Sequence, residues 1–323
     1  MNPRLTPLAA ALSIAFVAPA QAQTADLDPV IVSATRFSEP DTNVAANVSV
    51  ITRDDIRNTP ARDLPSMLKG SAGVDVRALY GSLGIDSTID IRGFGETAGS
   101  NTLILLDGQR LNPIDMGSVS WSAIPLDSVQ RIEIMRGAGT VLYGDKATGG
   151  VVNIITDKSG APRAGATVGI GSYDTQTVDL NGAFGNEIGY ANAFARYAHT
   201  GGWRENSQAE QAALSGRGGL YIGKGEAFID YSVYNEHYGL PGYLLSAAYQ
   251  NNPKTSTSPN DSQRSDGYRL RPGVALPITD TLRFEAEVSY DRQNQHANYA
   301  SFGSQADRTR DNWSVTPRLR WQH

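Results

Sequence analysis

The second half of the chain alternates apolar and polar residues with a period of two. One such run carries Phe284, Ala286, Val288 and Tyr290 on one face and Arg283, Glu285, Glu287, Ser289 and Asp291 on the other. This period is that of a β-strand whose two faces meet different surroundings. The pattern recurs at residues 177–181, 226–233 and 313–321, with turn residues between the runs. We therefore predict about eight strands joined as an antiparallel meander.

The residue types on these faces favour a membrane β-barrel. Twelve of the 14 Tyr lie after Gly160, whereas 14 of the 19 Ile lie before it. The inward faces of a soluble β-sandwich are normally rich in Ile, Val and Leu, but the apolar faces here carry mainly Tyr, Trp, Ala and Gly. A barrel with lipid outside and a polar lumen explains this distribution. On the pattern alone, the soluble sandwich remains the alternative.

The first 22 residues have the form of an export signal. Arg4 precedes an apolar stretch at residues 8–17, and Ala20 and Ala22 supply small residues at A-x-A spacing. We predict a signal peptide cleaved after Ala22. The chain has no Cys, which excludes a disulfide framework, thiol catalysis and zinc–thiolate sites. An exported chain of this kind belongs in the periplasm or the outer membrane of a Gram-negative cell.

Charge and motif content argue against nucleic-acid binding and against catalysis. The net charge is −5 and the isoelectric point about 5.4, so no general positive field exists to hold a polyanion. There is no G-x-S-x-G or H-E-x-x-H motif, and the Gly-rich stretch at 137–150 lacks the spacing of a nucleotide-binding loop. We expect no catalytic residues, no cofactor and no bound metal, so the chain is predicted not to be an enzyme.

Residues 41–158 have the pattern of a small α/β domain with a mixed sheet. Short β-prone runs occur at 48–51, 88–92, 103–106, 129–135 and 151–155, and two short helical turns are predicted at 54–57 and 62–68. A linker over residues 23–40 precedes the domain, and the strand meander occupies residues 159–323. The segment near 253–266, rich in Ser, Thr, Asn and Pro, is predicted to be a long exposed loop.

Five motifs in order resemble the TonB-dependent outer-membrane receptors of the siderophore and cobalamin type. They are DPVIVSATR at 28–36, IRGF at 91–94, LLDGQRL at 105–111, VQRIEIMRG at 129–137 and LYGDKATGGVVNIIT at 142–156. Two positions depart from the family pattern: Ala138, where Pro is usual, and Lys146, where a small polar residue is common. Both lie in a predicted turn, so they bear on local geometry.

The resemblance implies an α+β plug domain followed by an antiparallel transmembrane β-barrel that is incomplete in this chain. Eight strands enclose too little space for a plug of about 130 residues, so we expect the chain to be part of a longer receptor. The implied function is uptake of a ferric siderophore or cobalamin across the outer membrane. The implied partners are the TonB complex, the small-molecule ligand and membrane lipid. An exported hydrolase, or a binding protein without transport, is the alternative.

The resemblance also implies roles for particular residues. Asp28, Pro29, Val30, Ile31 and Val32 match the TonB box, which would bind its partner by strand addition; an ordinary first strand of the plug sheet is the alternative. Arg92 and Arg136 match positions that contact carboxylates of the barrel wall, although both could be solvated surface residues. Their partners could lie downstream of His323. The residues expected near the ligand are Tyr80, Glu96, Asn101, Met116 and Trp121.

Overall fold

The computed structural model describes residues 31–32, 39–40, 47–79, 83–115, 117–137 and 139–321. They form an N-terminal α/β domain and a separate eight-stranded antiparallel sheet. The predicted signal peptide, residues 1–22, lies outside the described residues. No helix in the described part of the chain is both long and apolar enough to cross a membrane.

The N-terminal domain is built on a mixed five-stranded sheet. Its strands are β3 (Asn47–Ile51), β6 (Thr102–Leu106), β7 (Gln109–Arg110), β8 (Val129–Arg136) and β9 (Gly150–Thr156), in the spatial order β3-β8-β9-β6-β7. Only the pair β6 and β9 is parallel. A separate hairpin joins β4 (Val74–Ala78) to β5 (Ser87–Ile91), and β1 (Ile31–Val32) pairs with β2 (Glu39–Pro40). The sequence did not predict β4 or β7.

Local capping explains the two predicted helical turns, which lie at α1 (Arg53–Asn58) and α2 (Leu64–Lys69). Thr52 and Asp55 form a reciprocal capping box at the start of α1, with Asp55 N donating to Thr52 Oγ1 over 3.2 Å and Thr52 N donating to Asp55 Oδ2 over 2.8 Å. The hydrogen bonds from Thr52 hold the pKa of Asp55 below its ordinary value. At α2, Asp63 Oδ1 accepts from the backbone N–H of Ser66 over 2.8 Å.

Aliphatic burial then fixes these helices on the sheet. Ile132, Ile134, Val152 and Ile154 are fully buried and lie in the same core cluster as Leu68 of α2. Each buried aliphatic side chain of this size contributes about 1.5–3 kcal/mol by leaving water. A short helix α3 (Thr140–Tyr143) and 3₁₀ turns at Gly95–Ser100, Trp121–Ala123 and Leu126–Ser128 complete the domain. The predicted α/β domain with a mixed sheet is confirmed.

The second sheet, called the wall below, consists of eight strands in sequential order. They are β10 (Arg163–Gly171), β11 (Thr175–Gly185), β12 (Gly189–Thr200), β13 (Ala209–Ile222), β14 (Gly225–Gly239), β15 (Ser262–Pro277), β16 (Leu282–Tyr299) and β17 (Ser304–Trp321). One end has only short turns, at 186–188, 223–224 and 278–281. The opposite end carries the longer connections 201–208 and 240–261, the second including α4 (Ser246–Asn251). The predicted eight-strand meander is confirmed.

The two faces of the wall divide as the alternation predicted. Val288, Trp313, Val315 and Leu319 point away from the N-terminal domain and are 39–71% exposed. Glu287 belongs to the opposite face, where its side chain is 14% exposed beside the domain. The apolar face therefore points outward and the polar face covers the N-terminal domain, which is the inside-out arrangement of a membrane barrel.

The predicted exposed loop at 253–266 is partly wrong. The connection between β14 and β15 covers residues 240–261, and residues from Ser262 onward belong to β15. Arg264 and Asp266 pair in register with β14 on one side and β16 on the other. These side chains point outward near the loop end of the wall, where a strand needs no apolar face. Their composition therefore resembles that of a loop.

Candidate functional site

The contact between the N-terminal domain and the polar face of the wall is the candidate site. Its centre is Asp107, in the turn between β6 and β7, whose side chain is 2% exposed. One of its oxygens lies 3.0 Å from Arg271 Nη2 of β15, and the other lies 3.3 Å from Lys158 Nζ. Thr156 donates to the same carboxylate from its N–H over 3.0 Å and from its hydroxyl over 2.7 Å. A single carboxylate thus links the domain to the wall.

The ion pairs continue from Asp107 into the wall, where positively and negatively charged side chains alternate. Arg271 Nη2 lies 2.6 Å from Asp230 Oδ2, and Arg217 Nε donates to the other oxygen of Asp230 over 2.5 Å. Arg271 and Arg217 are each 5% exposed. Buried ion pairs of this kind are favourable only when each charge has several partners, which holds here.

Asp107 is ionised in this setting. Burial by itself raises the pKa of Asp107, but the charges of Lys158 and Arg271 and the hydrogen bonds from Thr156 lower it more. The net pKa of Asp107 is below its ordinary value. Asp107 therefore carries a full negative charge at neutral pH, and Lys158 and Arg271 compensate it.

Next to Asp107, Gln109 joins the domain to the last two strands of the wall. Its Nε2 donates to Glu287 Oε2 over 3.0 Å and lies 3.2 Å from Thr316 Oγ1. Its Oε1 accepts from Ser314 Oγ over 3.2 Å. The turn at residues 107–109 therefore meets β15, β16 and β17 together.

A second contact joins the domain to the wall where the chain passes from one to the other. Asp157 pairs with Arg53 of α1 and with Arg163 at the start of β10, the latter at 2.9 Å. Its carbonyl accepts from Asn192 Nδ2 of β12 over 3.0 Å. These bonds hold the connecting segment against the wall.

A third contact lies toward the loop end of the wall. Asp115 Oδ2 lies 3.3 Å from both Arg308 and Arg310 of β17. Lys146 Nζ donates to the carbonyl of Pro113 over 2.6 Å. Burial is the main cause that lowers the pKa of Lys146. The Lys that departs from the family pattern therefore has a local role, because it binds the backbone of the loop that carries Asp115.

Comparisons with known proteins agree with this architecture. Residues 40–151 match the model of the TonB-dependent receptor plug domain. Over 155 residues the chain is 39% identical to the vitamin B12 transporter BtuB of Vibrio cholerae. The aligned residues make up 47% of this chain and 24% of that transporter. Residues 40–151 are therefore a plug domain of the kind found in TonB-dependent receptors. The chain spans about a quarter of the length of the curated relatives it matches.

Solved structures show the same fold at low sequence identity. The ferric citrate transporter FecA superposes with a TM-score of 0.73 at 21% identity, covering 85% of this chain and 44% of that one. The ferric yersiniabactin uptake receptor FyuA of Yersinia pestis gives 0.71 at 16% identity, with coverages of 86% and 46%. The N-terminal domain is therefore the plug, and the wall is barrel. These matches place the protein in the outer membrane of a Gram-negative bacterium.

The two plug arginines predicted to contact the barrel lie elsewhere in this structure. Arg136 donates to the carbonyl of Ala72 over 2.9 Å and to Ser49 Oγ over 2.6 Å, both within the plug. Arg92 is exposed and has a positive φ of 75°. Within the described ranges, neither forms an ion pair with a barrel carboxylate. The role that the resemblance implies for them stays a prediction.

The residues predicted near the ligand are only partly brought together. Glu96 and Trp121 both line one small plug cavity of about 80 Å³. Trp121 is 4% exposed and its indole N–H donates to the carbonyl of Ser87 over 2.7 Å, so here it supports its own loop. Glu96 is exposed and pairs with Arg77 at 3.1 Å. Asn101 donates from its side chain to the carbonyl of Thr97 over 2.8 Å.

Several predicted site residues fall on segments that the structure does not describe. Tyr80 and Met116 lie outside the described residues, as do Asp28, Pro29 and Val30 of the predicted TonB box. The remaining box residues form β1 (Ile31–Val32), with Ile31 opposite Pro40 and Val32 opposite Glu39. An extended backbone at Ile31–Val32 is compatible with a TonB box and also with an ordinary first strand of the plug.

Sequence reasoning missed Asp107, Gln109 and Arg271. The first two lie in the LLDGQRL motif, which contributed to the family resemblance but was assigned no role. Arg271 is 164 residues from Asp107, in a strand for which the sequence analysis identified no alternating run. A carboxylate directly after the buried strand β6 was the one available signal for Asp107, and its distant partner left no local trace.

Proposed function

We propose that the receptor takes up a scarce metal chelate, cobalamin or a ferric siderophore, across the outer membrane with work supplied by TonB. The observation that carries this proposal is the plug seated on the polar face of the barrel through buried charges. Asp107 of the plug would have to separate from Arg271 of the wall, or slide past it, if the plug moved. Because breaking such contacts is costly, plug movement needs an external source of work.

The proposed contact with TonB is the segment Asp28–Val32. Pro29 disfavours helix for itself and for the residue before it, and Val30, Ile31 and Val32 are β-branched. Among the described residues, Ile31–Val32 pairs along one edge with Glu39–Pro40, and a strand of the partner could pair along its other edge. Such pairing would transmit a pull on the N-terminus to the plug.

Cobalamin is the first ligand to test. The chain is 39% identical to a vitamin B12 transporter over 155 residues, whereas the solved siderophore receptors are below 25% identical and support only the fold. Iron chelates are the second class. A protein that binds at the surface without transport is the remaining alternative, and no specific observation favours a hydrolase.

Growth of a deletion strain tests the ligand. The strain would be supplied with cobalamin as the limiting nutrient in one series and with single ferric chelates in another, with and without an uncoupler of the TonB system. Lost growth on one nutrient, restored by the gene and blocked by the uncoupler, is the expected result. Unchanged growth on every nutrient would contradict the transport proposal, and binding that persists without uptake would indicate a surface binding protein.

A further inference from the structure

Two carboxyl groups meet at the contact between plug and barrel, near the loop end of the wall. Asp86 belongs to the plug loop that leads into β5, and Glu236 lies on the inward face of β14, where it is 5% exposed. Asp86 is bound by Tyr238, which lies two residues from Glu236 on the same face of β14. This place is distinct from the Asp107 contact, which involves β15, β16 and β17.

Each carboxyl crosses the contact to a neutral hydroxyl group on the other side. The Tyr238 hydroxyl of β14 donates to Asp86 Oδ2, so a plug carboxyl is held by a barrel residue. In the reverse direction, Ser122 Oγ of the plug donates to Glu236 Oε2 over 2.5 Å. The two hydrogen bonds together brace two plug segments against one strand.

No positive charge compensates these carboxyls. Among the described residues, neither Asp86 nor Glu236 takes part in an ion pair. Directly opposite Glu236 in register are Gln211 of β13 and Ser265 of β15, which are neutral. The amide oxygen of Gln211 is itself a buried acceptor without a hydrogen-bond partner.

The nearest charged groups on the packed strands are turned away or already paired. His237 of β14 and Arg264 of β15 are exposed on the outward face of the wall. On the inward face, Arg269 pairs with Asp291 at 3.1 Å, and Arg308 and Arg310 pair with Asp115. Ile85, Ala209 and Leu240 pack in one apolar cluster with the ring of Tyr238.

Two neighbouring carboxylates with an excess of acceptors and no cation are unfavourable in a buried place, because burial and like charge both oppose ionisation. We propose that Asp86 and Glu236 hold at least one proton between them at neutral pH, and that this proton keeps plug residues 83–86 and 118–122 docked on β14. A protonated carboxyl supplies one more donor to a cluster that is rich in acceptors. Burial raises the pKa of Asp86, against the hydrogen bonds from Tyr238 and Ser118 that lower it.

The sign of the pH dependence follows from this arrangement. The docked state binds the proton more tightly than the undocked state, so docking is complete at acidic pH and weakens as the pH rises through the raised pKa. Each proton released changes the opening equilibrium by up to about tenfold per pH unit within that window. The proposal concerns plug docking and does not depend on which ligand is transported.

Hydrogen exchange of the receptor purified from outer membranes tests the proposal. Protection of peptides covering residues 83–91 and 117–125 would be followed from pH 5 to pH 8.5, after correction for the chemical exchange rate. We expect opening of these peptides to increase by up to tenfold per pH unit. In Glu236→Gln, whose amide resembles the neutral carboxyl, this pH dependence should be reduced or lost while protection at high pH is retained.

Asp266→Asn is the matched control. Asp266 lies one residue from Ser265 but on the outward side, where it accepts from Asn294 Nδ2 over 3.0 Å. This variant should keep the wild-type pH dependence. Should Glu236→Gln fail to assemble, Asp86→Asn tests the same proton from the plug side.

Three results would overturn the proposal. One is protection in the wild type that does not change with pH, and another is protection that increases as the pH rises. The third is a pH dependence that stays at the wild-type level in both Glu236→Gln and Asp86→Asn, because the titrating group would then lie elsewhere. Transport assays play no part in this test, so its outcome is independent of the transport proposal.

Discussion

Replacing Asp107 by Asn removes the central charge of the plug–barrel contact at almost constant shape. Breaking a buried ion pair by removing one partner costs about 3–5 kcal/mol when the other charge is left uncompensated. Arg271 is not left alone here, because Asp230 at 2.6 Å and Glu287 at 3.8 Å remain beside it. The loss is then closer to that of hydrogen bonds to a charged group, about 1.5–3 kcal/mol.

We therefore expect Asp107→Asn to weaken plug docking by about 2–3 kcal/mol. At 1.4 kcal/mol for each factor of ten, this corresponds to an opening equilibrium raised about 30- to 150-fold. Hydrogen exchange of the peptide covering residues 103–111 in the purified receptor measures it. Peptides from the β4–β5 hairpin should change little, because that hairpin forms a sheet of its own and contains none of the charged or hydroxyl partners described for Asp107.

Asp145→Asn is the matched control within the plug. Asp145 also pairs with an arginine, Arg110, at 2.5 Å, but its side chain is 72% exposed. Exposed pairs contribute about 0–1 kcal/mol, so this variant should change opening by less than about fivefold. Equal small effects of the two variants would refute the reasoning that burial makes Asp107 the stronger contact.

Three further predictions follow from the same contacts. Because the pKa of Asp107 is lowered, its contribution to plug docking is present above the ordinary carboxyl pKa and is lost as the pH falls below it. Hydrogen exchange of the 103–111 peptide should therefore increase in acid, whereas exchange of the Asp86 segment should increase in base. If both segments responded in the same direction, the protonation state assigned to Asp107 or to Asp86 would be wrong. Ile31→Pro should abolish energy-dependent uptake while ligand binding at the cell surface persists, and equal uptake by mutant and wild type would count against strand pairing with TonB. Val288→Arg should cost roughly 2–4 kcal/mol of barrel stability, measured as loss of heat-modifiable gel mobility, whereas His296→Arg, on the same face near the loop end, should cost little. Similar losses for the two variants would mean that the depth of Val288 in the membrane is misassigned.

The structure changes the choice of control for the lipid-facing substitution. From the sequence, Glu287 is the natural inward partner of Val288. In the structure Glu287 accepts from Gln109 and lies within 4 Å of both Arg271 and Arg318. An arginine there would place like charges together in the plug contact, so the outward His296 is the cleaner comparison.

The local pattern of the sequence determined the secondary structure and the two environments. Alternation with a period of two placed Val288 outward and Glu287 inward, because successive side chains of a strand point to opposite faces whatever the strand packs against. Thr52 and Asp55 marked the start of α1 for a similarly local reason, as a capping box involves only four consecutive residues. The ordered motifs in the plug then indicated the family.

The contacts between plug and barrel were decided only by the tertiary structure. Asp107 meets Arg271 across 164 positions, and Asp86 meets Tyr238 across 152. Neither partner is marked locally, because the inward face of every strand offers several polar residues and the docking of the plug selects among them. Likewise, an isolated Trp121 could have stacked on a ligand or filled the core. Its 4% exposure follows from how its loop packs on β5, which depends on long-range contacts and not on the residues beside it.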